Sequence, residues 1–428
     1  MDLAARCFGA GETFFLTNGA TGGLLAMLAG LVGRQAPVIL SRACHQAVIH
    51  AIALLDLEPI WLEASPPSEH CPWSLVPAVS PQAIESALSG RPDARAIVLT
   101  YPDYYGTCAE LEAIAAIAHR YGRLILVDEA HGAHLSAAPE WLPPSALAAG
   151  ADAVVQSAHK TLPALTQGAY LHLSSQLCDR QPAASSQIRK ALRIFMTSSP
   201  SFPVAASLDF ARSWLENTGH ESIRSLLSQI SRFGQKLSGI VEVSPSSRHP
   251  ADCLRDPCRM VIRWPSGHGS AIAAAHRLSQ SGIDLEMADL TRLVLIPSLD
   301  QPASDFDRLA QAIRQELSVV PAMPAPDTND LIQLEKTWAR VLLTPGESVM
   351  TPGQALFSRE LVIEVPLDQA TGRIAAAAIC PYPPGIALVL PGERINQERL
   401  DLLLSLQENG INLAGLQGEK AQVLAKIV

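Results

Sequence analysis

Through the first half of the chain short apolar runs alternate with longer Ala/Leu-rich segments, and that alternation leaves few folds open. APVIL, RAIVLTYP, RLILVDEA and DAVVQS are rich in Val, Ile and Leu without polar alternation. Strands of that kind are apolar on both faces, so they predict a parallel sheet covered by helices on each side. LLAMLAGLVG, PQAIESALSG and ELEAIAAIAHRYG predict the covering helices. At 428 residues the chain is long for one core. Pro/Ser-rich stretches at VSPSSRHP and VVPAMPAPDTND look like boundaries, and VIRWP, TRLVLIP, AAAAIC and IALVLP predict strands of smaller mixed units. The expected organisation is an α/β large domain at 1–215, a small α/β domain at 216–328 and a C-terminal α+β domain at 329–428. No internal repeat is present.

The net charge of −9 disfavours nucleic acid as a partner. MDLAARCFGAGETFF has no basic segment followed by an apolar one, and the apolar run LLAMLAGLVG stops at Arg34. A soluble, cytoplasmic protein with no membrane partner is expected. Eight scattered cysteines without a CxxC pair predict reduced, mostly buried thiols.

Four segments carry chemistry. In LTNGATGGLLAMLAGL a Gly-rich turn precedes an apolar helix, which suits a phosphate through free N–H groups, with Thr21 adding a hydroxyl; a capped helix start is the alternative. No Gly-Lys-Ser/Thr follows, so this is not a Walker A loop. RLILVDEAHGAH delivers Asp128 to the C-terminal end of a buried strand, where ligands of open α/β sheets sit. VDEAH spells a helicase Walker B box, but nothing else in the chain supports one; Asp128, His131 and His134 as metal ligands match no strong zinc spacing. The remaining reading joins Asp128 to ADAVVQSAHKTLPALTQG. Lys160, past the next strand, suits a Schiff base with an aldehyde cofactor, and Asp128 suits the cofactor's ring nitrogen. His45, in SRACHQAVIH, is a flat group available to stack on the ring.

With those residues in place, the chain resembles the Orn/Lys/Arg decarboxylases, within the fold-type I pyridoxal-phosphate enzymes. TFFLTNGATGG, RACHQAVIH, TYPDYYGTCAEL, VDEAHGAHL, GADAVVQSAHKTLPALTQGAYLH, TSSPSFPVAASLDFAR and EMADLTRLVLIPSLD look like successive blocks of the large and small domains. PLDQATGRIAAAAICPYPPGIALVLPGERI looks like the family's C-terminal domain. The resemblance implies a fold-type I large domain with a mostly parallel sheet and pyridoxal 5'-phosphate as cofactor. It implies Lys160 as the Schiff-base lysine, Asp128 at the pyridinium and His45 on the ring. Gly19, Thr21, Ser157 and His159 would hold the phosphate, and His131 would lie beside the cofactor. The implied reaction is loss of CO₂ from a small basic amino acid, lysine, arginine or ornithine, in a homodimer or larger homo-oligomer.

The chain departs from the family pattern in three places. The phosphate loop arrives by residue 17 without a His-x-Pro-Gly-His-Lys-like segment ahead of it, so a short form lacking the usual N-terminal arm is expected, by a mis-assigned start or a real loss. Ala20 stands where a second phosphate hydroxyl is common, and Ala377 where GRIAAAAI often has Glu. Rival readings are a pyridoxal-binding paralogue without decarboxylase activity and another fold-type I activity, such as an aminotransferase or aldolase. Asp103, Glu286, Asp289 and Glu393 are candidates for the carboxylate that meets a basic side chain.

Overall fold

A computed structural model describes residues 1–62, 71–247, 253–319, 325–359, 361–382 and 384–425. Its centre is a seven-stranded sheet of β1 (Glu12–Leu16), β2 (Pro37–Leu40), β3 (Glu58–Trp61), β4 (Ala96–Thr100), β5 (Leu124–Asp128), β6 (Ala153–Gln156) and β7 (Ala169–Leu173). The order is β1-β7-β6-β5-β4-β2-β3, and only β7 runs against the others. The four strands expected from apolar runs are β2, β4, β5 and β6, neighbours in the parallel part. Residues of β4 and β5 are split between two cores: Ile97, Leu99, Ile125 and Val127 face one, while Ala96, Val98, Leu124 and Leu126 face the other. A continuous apolar run is therefore an alternation of two buried faces.

Helices α1 (Asp2–Phe8), α2 (Gly19–Leu31), α3 (Gln46–Leu55), α4 (Pro81–Gly90) and α5 (Leu111–Arg120) cover these cores. Ser80 caps α4 by accepting from Ala83 N at 3.2 Å, with Pro81 in the first turn where its missing N–H costs nothing. The three helices expected from the sequence are α2, α4 and α5.

A second, four-stranded sheet joins β8 (Glu242–Val243), β9 (Met260–Arg263), β10 (Met287–Ala288) and β11 (Arg292–Leu295) in the order β10-β11-β9-β8. VIRWP and TRLVLIP supply β9 and β11. VSPSSRHP, expected as a boundary, instead connects two paired strands of this sheet; its residues 248–250 lie outside the described residues. Proline and serine mark a loop there, not a domain edge. Residues 320–324 of VVPAMPAPDTND also lie outside the described residues, and from Ala325 the chain is helical to Leu343.

In the C-terminal part AAAAIC leads into a short strand, Cys380–Tyr382, paired with Asn412–Ala414. IALVLP is not a strand: Val389 makes an isolated bridge to Ile379, and Leu388, Val389 and Leu390 are buried as an irregular segment. A short apolar run reports burial before it reports conformation. Beneath it Arg42, just past β2, meets Glu393 at 2.5 and 3.2 Å, and both are 3% exposed. Glu393 also accepts from Leu390 N at 2.9 Å and Gly346 N at 3.2 Å, and Arg42 lies over the Trp61 ring. This pair ties the C-terminal part to the large sheet.

The expectation of reduced thiols fails for two cysteines. Cys71 and Cys253 are joined in a disulfide across 182 residues of sequence. A separation that long leaves no spacing pattern to read. The other six are free, with Cys44, Cys108, Cys258 and Cys380 buried. Among the described residues no helix is long and apolar enough to cross a membrane.

Candidate active site

The C-terminal ends of the parallel strands open into a cavity of about 740 Å³. Gly19, Thr21, His45, Asp128, His131, Ser157, His159 and Lys160 all line it, drawn from four stretches of chain. Asp128 is the last residue of β5, Ser157 follows β6, and Lys160 stands in the short helix Ala158–Thr161. Gly19 opens α2 at φ +81°, a conformation that excludes most side chains, and the Asn18 side chain makes no capping bond. The first N–H groups of α2 thus lack a side-chain acceptor at the cavity wall, as an anion site requires.

Lys160 Nζ lies 3.1 Å from His131 Nε2, and Arg259 Nη2 donates to His131 Nδ1 at 2.8 Å. Burial, then the charges of Arg259 and Lys160, hold the His131 imidazole well below its usual range. The walls crowd the Lys160 amine and lower its pKa, with Asp128 pulling the other way and Arg259 adding to the fall. Burial pushes the Asp128 carboxyl up, and His45 and Lys160 draw it back. Asp128 is 3% exposed, lines the cavity and accepts from Ala130 N at 3.1 Å, and a carboxylate there suits a cationic N–H partner. His45 caps α3 by accepting from Ala47 N at 3.1 Å, which fixes its ring while leaving one face open to the cavity. His159 Nδ1 lies 3.1 Å from Gly168 O.

The four candidate distal carboxylates separate cleanly. Asp289 is buried against Tyr105 and Arg292, and Glu393 against Arg42. Asp103 reaches the cavity wall but accepts from Ser74 Oγ and from the N–H groups of Tyr105 and Thr107. Glu286 also lines the cavity, and its one described hydrogen-bond partner is the Tyr104 hydroxyl. Ala20 lines the cavity and Ala377 does not. Asp128, His131 and His134 do not form a metal cluster: His131 is held by Arg259 and Lys160. His134 turns to Asp256, 3.2 Å away and close to Cys258. Arg259, Tyr104, Gln167 and the lining residues Tyr382 and Ile386 were not anticipated. Gln167, at φ +64°, braces the turn ahead of α2 by donating to Thr17 O at 2.9 Å.

A hydrogen-bond chain runs under the site across four strands. Thr13 Oγ1 lies 2.8 Å from His172 Nδ1, His172 Nε2 3.0 Å from Gln156 Oε1, and Gln156 Nε2 donates to Glu129 Oε2 at 2.6 Å, beside Asp128. Burial drops the His172 imidazole from 6.5 to about 3. A depressed base contributes stability that is full above its unfolded value and is lost as pH falls toward the folded one. His172→Gln keeps one donor and one acceptor but cannot titrate. Between pH 6 and 3.5 it should flatten the fall in unfolding free energy by about 1.4 kcal/mol per pH unit, measured by urea unfolding. An unchanged slope would mean His172 is already charged in the fold.

A mostly parallel sheet whose strand ends gather a lysine, a buried aspartate and an uncapped helix start, backed by a separate C-terminal unit, defines a fold-type I pyridoxal-phosphate-type α/β protein. The solved lysine decarboxylase A from Pseudomonas aeruginosa overlays with a TM-score of 0.80 at 20% identity, over 99% of this chain and 71% of that one. The chain belongs to the Orn/Lys/Arg decarboxylase family: the family's major domain matches residues 1–255 and its C-terminal domain 335–422. It is similar to the uncharacterized protein YaaO of Bacillus subtilis (strain 168), at 35% identity over 95% of this chain and 80% of that protein. It is similar to the arginine decarboxylase of the same organism at 29% identity, over 97% and 82%. The chain is an amino-acid decarboxylase.

Proposed function

We propose that the chain removes the α-carboxylate of a basic amino acid, arginine, lysine or ornithine, with pyridoxal 5'-phosphate held by Lys160. The observation that carries this is one cavity lined by an amine, a buried carboxylate, an uncapped helix start and Glu286, whose one described hydrogen-bond partner is the Tyr104 hydroxyl. When bound, the cofactor supplies the electron sink into which the bond to CO₂ breaks. The first turn of α2 with Thr21, Ser157 and His159 binds the phosphate. Asp128 keeps a proton on the ring nitrogen, and His45 packs on the ring face. Lys160 Nζ would anchor the cofactor covalently and, as an ammonium, would supply the proton that replaces CO₂ at Cα. A site at the cytoplasm and a homodimer or larger assembly complete the reading; Ile194, Phe202 and Phe210, exposed at 69%, 81% and 61%, offer apolar surface for a second copy.

Incubation with L-arginine, L-lysine and L-ornithine, with release of CO₂ measured, tests the reaction directly. Release from at least one is expected, and release from none overturns the substrate class. Glu286 is the residue assigned to the distal cation. Glu286→Gln should raise KM for the preferred substrate by roughly 10–100-fold, the loss of one charge-assisted bond, with kcat changed much less. An equal fall in kcat with KM unchanged would instead place Glu286 at the reacting bond.

A further inference from the structure

We infer that Arg259, from the small domain, is a positioning residue that fixes the proton of His131 on Nε2 and thereby holds Lys160 as a free amine. The inference rests on the reading of Lys160 as the cofactor lysine and extends it to a residue that touches neither cofactor nor substrate.

A guanidinium has donors and no acceptor, so the 2.8 Å contact from Arg259 Nη2 requires a lone pair on His131 Nδ1. A neutral imidazole that accepts at Nδ1 carries its hydrogen on Nε2. That nitrogen lies 3.1 Å from Lys160 Nζ, so the hydrogen points at the amine and Nζ must accept it. An ammonium has no lone pair to offer, and only neutral lysine satisfies the chain. The opposite tautomer would suit an ammonium at Lys160, and Arg259 excludes it. A neutral amine is the form that adds to the aldehyde carbon of pyridoxal phosphate: the C–N bond forms, water leaves, and no proton has first to be shed from Nζ.

The backbone and Cβ of Arg259 are packed in place, and its buried Nη1 has no hydrogen-bond partner among the described residues. The residue is 1% exposed, its Cβ packs against Gly106, where a side chain at φ +89° would both clash and strain, and its carbonyl accepts from Arg255 Nη2 at 2.6 Å. Asp256 N donates to Gly106 O at 2.7 Å, docking the same segment on the loop after β4. Charged and titratable neighbours of the Lys160–His131 pair are Asp128 at the end of β5, His45 before α3, His134 in the following turn, Glu286 before β10, and Arg259. Tyr104 stands edge-on to His131, with ring centroids 4.9 Å apart. Removing the Arg259 charge leaves the carboxylates of Asp128 and Glu286 less opposed, so Lys160 should keep its proton to higher pH.

The test uses the full chain stripped of cofactor. Nitrogen-15 NMR of labelled histidines, with His131 assigned from the His131→Gln spectrum, should show Nε2 protonated and Nδ1 bare in the wild type between pH 6 and 8. In Arg259→Met the ring should lose that preference, and the pH midpoint for the rate of cofactor attachment should rise by roughly one unit. Arg259→Lys, which keeps a donor and a charge, should recover most of both. Protonated Nδ1 in the wild type overturns the inference whether or not any variant folds, as does an unmoved tautomer and midpoint in Arg259→Met. Borohydride reduction and mass mapping report separately on the underlying reading: cofactor found off Lys160 defeats that reading, while the histidine spectrum still judges the Arg259–His131 contact.

Discussion

Lys160→Ala is expected to abolish covalent attachment of pyridoxal phosphate and to lower CO₂ release by on the order of 10³–10⁴-fold, the scale set by losing a positioned proton-transfer group. Two losses combine in one side chain. Without Nζ the cofactor is held only by the donors around its phosphate and by Asp128, and no amine remains to return a proton at Cα. The fold should be little affected, because the one described hydrogen-bond partner of the Lys160 side chain is His131 and the amine otherwise projects into open cavity. A matched circular dichroism spectrum and unfolding midpoint would establish this. Borohydride reduction should add the cofactor's mass to the wild type and not to the variant. Small primary amines added to the variant should restore part of the activity by supplying the missing proton donor. CO₂ release within tenfold of wild type would show that another residue does this work.

Arg42→Met should destabilise the protein by about 3–5 kcal/mol, since it removes the guanidinium hydrogen-bonded to buried Glu393 and leaves that carboxylate only the more remote charge of Arg399. Of its hydrogen bonds the carboxylate would keep only those from the N–H groups of Leu390 and Gly346. An unpaired buried carboxylate takes up a proton more readily than in the unfolded chain. Its cost is therefore full above the raised folded value and shrinks as pH falls from there to the unfolded carboxylate range, so the deficit at pH 7 should exceed that at pH 4.5. The double variant Arg42→Met with Glu393→Leu removes both charges and should recover most of the loss. Urea unfolding of the four proteins closes the cycle. A single variant within 1 kcal/mol of wild type would mean that water or another group reaches Glu393.

Residues that lie within a few positions of a strand end were legible in the sequence. Asp128, Ser157, Lys160 and the turn at Gly19 each follow or precede an apolar run whose direction is fixed by the parallel sheet, so local pattern implies location. Glu286 lines the same cavity and Arg259 backs its wall through His131, both coming from the region of the second sheet much later in the chain. Nothing in CRMVIRW distinguishes a buried guanidinium from an ordinary strand-edge arginine. The four acidic candidates were indistinguishable for the same reason, because what separates them is which one already has partners. IALVLP and the Cys71–Cys253 pair failed differently, the first because burial does not dictate backbone, the second because pairing across 182 residues leaves no periodic trace.

The cavity has two kinds of wall. One is made by strand termini and helix starts, where a substitution disturbs the central sheet. The facing wall is made by Tyr382, Pro384, Gly385 and Ile386, a loop of the C-terminal part. Tyr382 is 58% exposed, and a change there need not repack a core. Selectivity for chain length or headgroup can accordingly drift while the bond-breaking end stays fixed. A library confined to residues 382, 384, 385 and 386 should yield folded proteins whose preferences among diamino acids differ, and it offers a route to redirecting the reaction without rebuilding the machinery that performs it.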